Sequence, residues 1–347
     1  MSQQNHIAVI RLSALGDVAM TVPVLRVLCA TYPNLKITVV SRAFFKPLFD
    51  ELPNIEFFEA EVKGRHQGIK GLLLLSKELK RKGVTAIADL HNVLRSHVVR
   101  AYFKTNFTPV AKIDKGRKEK KALTRAHNKI YKQLPTTFER YATVFERLNF
   151  PIDLSRHEFP KRKALTEASR IHIDKTRKKH IGIAPFAAFK GKMYPLPLMK
   201  EVIGTLAENT EIQLLLFGGG TSEKETLDTI ASHYENVTNL VDKLSFEDEL
   251  AVIANLDAMV AMDSGNAHLS AIYNVPTVTL WGVTHPYLGF YPFQQPLENA
   301  LQADKEAFPL IPTSVYGNKL PKGYEKAMET ILPQKVVEKV EHVLQQA

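Results

Sequence analysis

Short apolar runs alternate with amphipathic stretches along most of the chain. The run His6–Leu12 is broken at Gly16-Asp17, and helical spacing of Val22, Leu25, Val27 and Leu28 follows within Val18–Thr31. Strand-like runs recur at Lys36–Ser41, Ile55–Glu59, Thr85–Leu90 and Thr108–Ile113. Helical patterns lie near Phe44–Leu52 and over Gly68–Lys82, His91–Tyr102 and Leu134–Leu148. Phe150–Lys163, with Pro151 and Pro160, reads as a linker. The alternation then restarts, with strands Ile181–Ala184, Ile212–Phe217, Val237–Leu240, Ala258–Met262 and Pro276–Leu280 and helices Leu196–Asn209, Glu223–Tyr234 and Phe246–Ala254. Beyond Leu280 the chain is irregular and proline-rich until a last helix, Pro333–Gln346. This alternation predicts parallel βαβ units, an α/β chain of two doubly wound Rossmann-like domains facing a cleft.

The stretch Ala258–Ile272 organises the second half. An apolar strand breaks at Asp263-Ser264-Gly265-Asn266, and a helical pattern resumes at Ala267, Leu269, Ala271 and Ile272. Asp, Ser and Asn cap helices, and Gly lets backbone approach a ligand. The turn is then either a phosphate site at a helix N-terminus, with His268 as an added donor, or an ordinary capped turn.

Composition narrows the class. The chain has 347 residues, 45% of them apolar, and a single cysteine, Cys29, which excludes an internal disulfide framework and a cysteine-based metal cluster. No basic-then-apolar leader and no membrane-length run is present, which predicts a cytoplasmic protein. The formal charge of +10 is concentrated in Lys112–Lys132 and Lys161–Lys179. Such runs suit an anionic partner or a solvated surface. Without zinc-finger spacing or an RNP-type aromatic motif, a nucleic-acid partner is not expected.

Four constellations are candidates for chemistry. Arg11-Leu-Ser-Ala-Leu-Gly-Asp17 puts a carboxylate at a strand end, as a general base or as an N-cap. Only Gly16 of a G-x-G-x-x-G fingerprint is present, which disfavours a nicotinamide or flavin dehydrogenase. Ala184–Pro195 brings Lys190 and Lys192 after the first strand of the second half, where a lysine can clamp a diphosphate. Gly218-Gly219-Gly220-Thr-Ser-Glu223 is a glycine turn that either touches a nucleotide or turns the chain. Asp89–Ser96 carries Arg95, suited to an anionic acceptor or to a surface ion pair.

Together these motifs resemble glycosyltransferase family 9, the heptosyltransferases of lipopolysaccharide core assembly. The resemblance rests on Arg11–Val18 with Thr21-Val-Pro-Val-Leu, Asp89-Leu with Arg95-Ser96, Lys192-Met-Tyr-Pro195, and Met262-Asp-Ser-Gly-Asn-Ala-His268, in that order over about residues 6 to 285. It implies the GT-B fold, with an acceptor-binding domain (1–155), a nucleotide-sugar domain (156–332) and a C-terminal helix (333–347) packing back toward the first domain. It also implies Asp17 as catalytic base and Lys192 as catalytic and donor-binding. Gly218, Gly219, Asp263, Ser264, Gly265, Asn266 and His268 are the further expected donor contacts, and Ser13, Lys63, Arg65 and Arg95 the expected acceptor contacts. The family's acidic residue just after the glycine turn is missing here; Gly219, Gly220 and Thr221 occupy that neighbourhood, with Glu223 close by.

The expected reaction is inverting transfer of a sugar, heptose in the family's usual case, from an ADP-sugar to a phosphorylated glycolipid at an anionic inner-membrane surface. No Asp-x-Asp pair is present, so neither a metal nor another cofactor is expected. The rival readings are a nucleotide-sugar epimerase of the same architecture and a non-catalytic nucleotide-sugar-binding protein.

Overall fold

The computed structural model describes residues 5–346. Contacts gather into two units. One runs to Lys115 and resumes over Thr137–Glu158; the other comprises Gly116–Thr136 and the chain from Phe159 onward. The basic segment that the sequence reading assigned to the first domain therefore falls mainly in the second unit.

In chain order the first unit holds β1 (His6–Ile10), α1 (Leu15–Ala19), α2 (Thr21–Thr31), β2 (Lys36–Ser41), β3 (Ile55–Glu59), α3 (Gly68–Arg81), β4 (Ala86–Asp89), α4 (Leu94–Thr105) and β5 (Val110–Lys112). α5 (Arg117–Thr124) belongs to the second unit, and α6 (Thr137–Glu146) returns to the first. The strands pair in parallel in the order β3-β2-β1-β4-β5. β1 is buried along its whole length, which is why its sequence is an unbroken apolar run rather than an alternation. Its one polar side chain, His6, is satisfied by Thr38 Oγ1 at 2.7 Å.

The helix expected over Val18–Thr31 is two helices meeting at Met20. Pro23 has no N–H to offer the Ala19 carbonyl, so the ladder cannot run through. The helix expected near Phe44–Leu52 is a 3₁₀ stretch, Ala43–Leu48, which contains Pro47.

The second unit continues with α7 (Glu167–Arg170), β6 (Lys179–Ala184), α8 (Leu196–Ala207), β7 (Ile212–Leu216), α9 (Thr221–Ala231), β8 (Val237–Asn239), α10 (Phe246–Ile253), β9 (Ala258–Met262), α11 (Gly265–Ala271), β10 (Thr277–Trp281), β11 (Ala300–Gln302) and α12 (Pro333–Gln346). Its strands pair in parallel as β11-β10-β9-β6-β7-β8. α12 packs on α8, β9 and β10, and its Val336, Val337, Val340 and Val343 lie in the same core as Ile181, Ile183 and Met262. The apolar stripe of the last helix is thus accounted for within the second unit.

Both sheets are doubly wound, and in each the strand order reverses between the first and fourth strands. Ligands of such sheets bind beyond the carboxyl ends of the strands at that reversal. In the first unit the point lies between β1 and β4; in the second, between β6 and β9. Among the described residues no helix is long and apolar enough to cross a membrane.

Candidate active site

In the first unit, Arg11 and Asp17 meet at the reversal point. Arg11 follows β1 and is buried, yet its guanidinium has two partners. One amino group donates to the Leu90 carbonyl beyond β4 at 2.7 Å, and the other pairs with Asp17 Oδ2. The Ala14 N–H points at the same carboxylate oxygen from 3.4 Å, and the Tyr141 hydroxyl donates to the Asp17 carbonyl at 3.2 Å. Asp17 is therefore fixed from three sides while its side chain stays 32% exposed.

His91 completes this corner. Its Nδ1 accepts the Leu12 N–H at 3.4 Å. Burial pushes its pKa down to about 3; Arg11, Lys115 and Arg95 push the same way, and Asp17 opposes them. His91 is then a neutral positioning group at physiological pH, in a field dominated by cations. Such a field attracts anions. Asp89, fully buried, shapes the turn: Oδ1 accepts the N–H groups of His91 (3.0 Å) and Asn92 (2.7 Å), and Oδ2 pairs with Arg100 Nε at 2.7 Å. Arg95 is exposed on the first turn of α4, and Ser96 caps that helix by accepting the Val93 N–H.

In the second unit, Lys192 follows β6 and Asp263 follows β9. Lys192 Nζ lies 2.9 Å from Asp263 Oδ2, with side-chain exposures of 16% and 6%. The lysine loop is held by close backbone packing. Gly191 accepts the Val283 N–H at 2.9 Å, and a Cβ on Gly191 would lie 2.7 Å from the Gly317 carbonyl oxygen. The lysine stem runs over Gly317, where an added Cβ would sit 2.3 Å from Lys192 Cγ. Gly317 also adopts φ +79°, so glycine is needed there twice over. Tyr194 ties the loop to the end of β9 through its N–H on Met262 Sδ at 3.3 Å, and its hydroxyl donates to the Ile331 carbonyl at 2.5 Å.

Ser264 precedes α11, and its buried Oγ has no hydrogen-bond partner among the described residues. Gly265 and Asn266 form the first turn, and His268 is buried beside them. An ammonium, an unused hydroxyl and a helix start converging at a sheet's reversal point are suited to holding a diphosphate.

Of the remaining expected residues, Ser13 lies half-buried in the turn before α1. Gly218 and Gly219 follow β7, and Glu223 folds back so that its Oε2 accepts the Gly219 N–H at 2.8 Å. A carboxylate therefore does stand over the glycine turn, supplied from α9. Lys190 and Lys63 are exposed. Arg65 is engaged internally, by Glu61 at 2.6 Å and Glu78 at 2.8 Å, so its charge is balanced within the segment after β3. The sequence reading missed the roles of Arg11, His91, Tyr141 and Gly317. Only Arg11 left a signal, a charged residue directly after the apolar run Ile7–Ile10.

The model of glycosyltransferase family 9 (heptosyltransferase) matches residues 72–308. Lipopolysaccharide heptosyltransferase 1 of Campylobacter coli is 27% identical over 301 residues, which cover 81% of this chain and 85% of that protein. A glycosyl transferase family 9 structure from Veillonella parvula superposes with a TM-score of 0.76 at 21% identity, covering 100% of this chain and 99% of that one. The E. coli heptosyltransferase WaaC with ADP-2-deoxy-2-fluoro heptose gives a TM-score of 0.64 at 18% identity, covering 97% and 99%. The fold is thus GT-B, and the chain belongs to glycosyltransferase family 9, the heptosyltransferases.

Proposed function

We propose that the protein transfers heptose from an ADP-linked donor to a hydroxyl of a phosphorylated lipopolysaccharide-core acceptor, with inversion at the anomeric carbon. The observation that carries this reading is the Lys192–Asp263 pair beside the unpartnered Ser264 hydroxyl at the reversal point of the second sheet. The related WaaC structure with an ADP-heptose analogue supports the choice of donor.

In this account Asp17 takes the proton from the acceptor hydroxyl as its oxygen attacks the anomeric carbon. The bond from that carbon to the diphosphate oxygen breaks, and ADP departs with the electron pair. Arg11 and the Ala14 N–H keep the carboxylate aimed, and the cations around His91 draw in the anionic acceptor. Lys192 and the start of α11 meet the charge that grows on the leaving diphosphate. Glu223 is suited to accept a ribose hydroxyl at the glycine turn. The exposed cations of α5 add peripheral attraction to an anionic membrane surface.

The test is a donor screen: ADP-heptose, other ADP-sugars and UDP-sugars, each assayed for binding and for turnover on extracted lipopolysaccharide core. NMR of the product reads its anomeric configuration. ADP-heptose turning over with inversion is the expected result. Turnover with a UDP-sugar alone, or retention of configuration, would overturn the reading.

A further inference from the structure

A second cationic cluster in the second unit lies outside the proposed donor and acceptor residues. It is formed by Lys129 and Tyr131, after α5, His285, after β10, and Lys305, after β11. His285 is 2% exposed, whereas Tyr131 is 45% exposed, so the cluster opens to solvent on the tyrosine side. Its backbone adjoins the Lys192 loop. Val283, two residues before His285, donates to the Gly191 carbonyl and accepts the N–H groups of Thr313 and Ser314, next to Pro312, whose carbonyl binds Lys129.

The protons in this cluster can be assigned from its hydrogen bonds. His285 Nδ1 accepts the Tyr287 N–H at 3.0 Å, so the ring's proton sits on Nε2. Nε2 lies 2.7 Å from the Tyr131 oxygen and 2.9 Å from Lys305 Nζ. The Lys305 ammonium donates to that oxygen. The ammonium is thus shared between the phenol and the ring nitrogen. Lys129 spends two N–H bonds on the Leu310 and Pro312 carbonyls and keeps a third. What remains is the solvent-facing Tyr131 hydroxyl and the further N–H groups of two ammonium ions. No carboxylate pairs with either lysine among the described residues. Two positive charges held together without a counter-ion are costly unless an anion joins them.

We propose that Lys129, Tyr131, His285 and Lys305 form a binding site for a phosphoryl group. A dianion matches the two ammonium charges, and its several oxygens accept from donors arriving from different directions. The charge states fit this assignment. Burial and the neighbouring Lys305 push Lys129 down to about 8, and burial and Lys129 push His285 down to about 4, so the ring is neutral and the two lysines repel one another. The proposed function supplies one source, a phosphate on the acceptor glycolipid. Free phosphate is the other source, and the site itself does not depend on that reading.

The test uses the full chain saturated with ADP, so that the donor site is filled. Inorganic phosphate binding is measured by calorimetry for wild type, Lys129→Gln/Lys305→Gln, Tyr131→Phe and Lys305→Arg. Wild type should bind one further phosphate. The double variant should bind it at least tenfold more weakly, Tyr131→Phe more modestly, and Lys305→Arg close to normally. ADP affinity should be the same in all four. No phosphate bound once ADP is saturating, or equal phosphate affinity in wild type and the double variant, would overturn the site. To name the source, KM is measured for intact and phosphatase-treated acceptor. A rise in the double variant for intact acceptor alone supports the glycolipid phosphate, and no change for either, with phosphate binding still lost, supports a free-phosphate site. Wild type that binds phosphate but turns over no acceptor would count against the heptosyltransferase reading and leave the site standing.

Discussion

The ammonium of Lys192 lies 2.9 Å from Asp263 Oδ2, joining the loop after β6 to the end of β9. Lys192→Ala removes the cation that faces the diphosphate and leaves a buried carboxylate unpaired beside it. ADP affinity and turnover should fall together, turnover by about 10²–10³. Calorimetry with ADP and steady-state assays read both, and two unchanged values would take Lys192 out of the donor site.

Gly317 sets the path of that lysine. Gly317→Ala adds a Cβ against Lys192 Cγ at a positive φ, with a backbone cost of about 1–2 kcal/mol. The variant should melt at lower temperature and bind ADP more weakly. Combined with Lys192→Ala it should cost little further ADP affinity, because both changes act on one contact. Fully additive losses in affinity would mean that Gly317 acts only through stability.

Acid should destabilise the fold. Burial, first of the causes in each case, brings His91 down to about 3 and His157 and His285 to about 4, from the ordinary 6.5. A group whose folded pKa lies below its unfolded value contributes stability above the unfolded pKa and loses it as pH falls toward the folded one. The window is therefore about pH 6.5 down to about 3. Glu249 opposes this: burial raises it to about 7 from 4.5, so its contribution is present at low pH and lost as pH rises through 7. Three histidines outweigh one carboxyl, and His6 and His172 are shifted in the same direction as the three. Calorimetric Tm should fall between pH 7 and 5; a Tm that rises over that interval contradicts the balance.

The basic segment is not a uniform solvated face. Lys120 is buried with its ammonium 3.7 Å from the Phe290 ring centre, and Lys129 is bonded to carbonyls, whereas Arg117, Lys118 and Lys121 are exposed. Reversing those three to glutamate should weaken binding to anionic vesicles, at about 1 kcal/mol per lost cation, with the difference shrinking as salt rises. ADP affinity should not move. Vesicle binding that is unchanged at low salt would remove the segment from membrane recruitment.

Strands β2, β3 and β9 and the last helix were legible to the residue, because each is a short apolar-rich run or a one-sided apolar stripe set off by polar or turn residues. α5 was hidden because Ala122 and Leu123 are its only apolar residues; a mainly charged octamer shows no stripe, yet Leu123 packs with Leu134 and Leu288. β11 is a three-residue edge strand within a proline-rich stretch. The motifs around Asp17, Lys192 and Asp263 could be read, but their partners could not. That Lys192 meets Asp263 follows from strand order, and order is set by packing rather than by local pattern. That Lys120 turns inward was hidden for a similar reason: a charge run says nothing about which of its members are buried.

Asp17 carries the central claim. If it is the base, Asp17→Asn keeps its place in the turn but cannot take the acceptor proton. Turnover with ADP-heptose and lipopolysaccharide core should fall by about two to four orders of magnitude, while ADP affinity, measured on the same preparation, stays at the wild-type value. Near-normal turnover by Asp17→Asn would contradict the account.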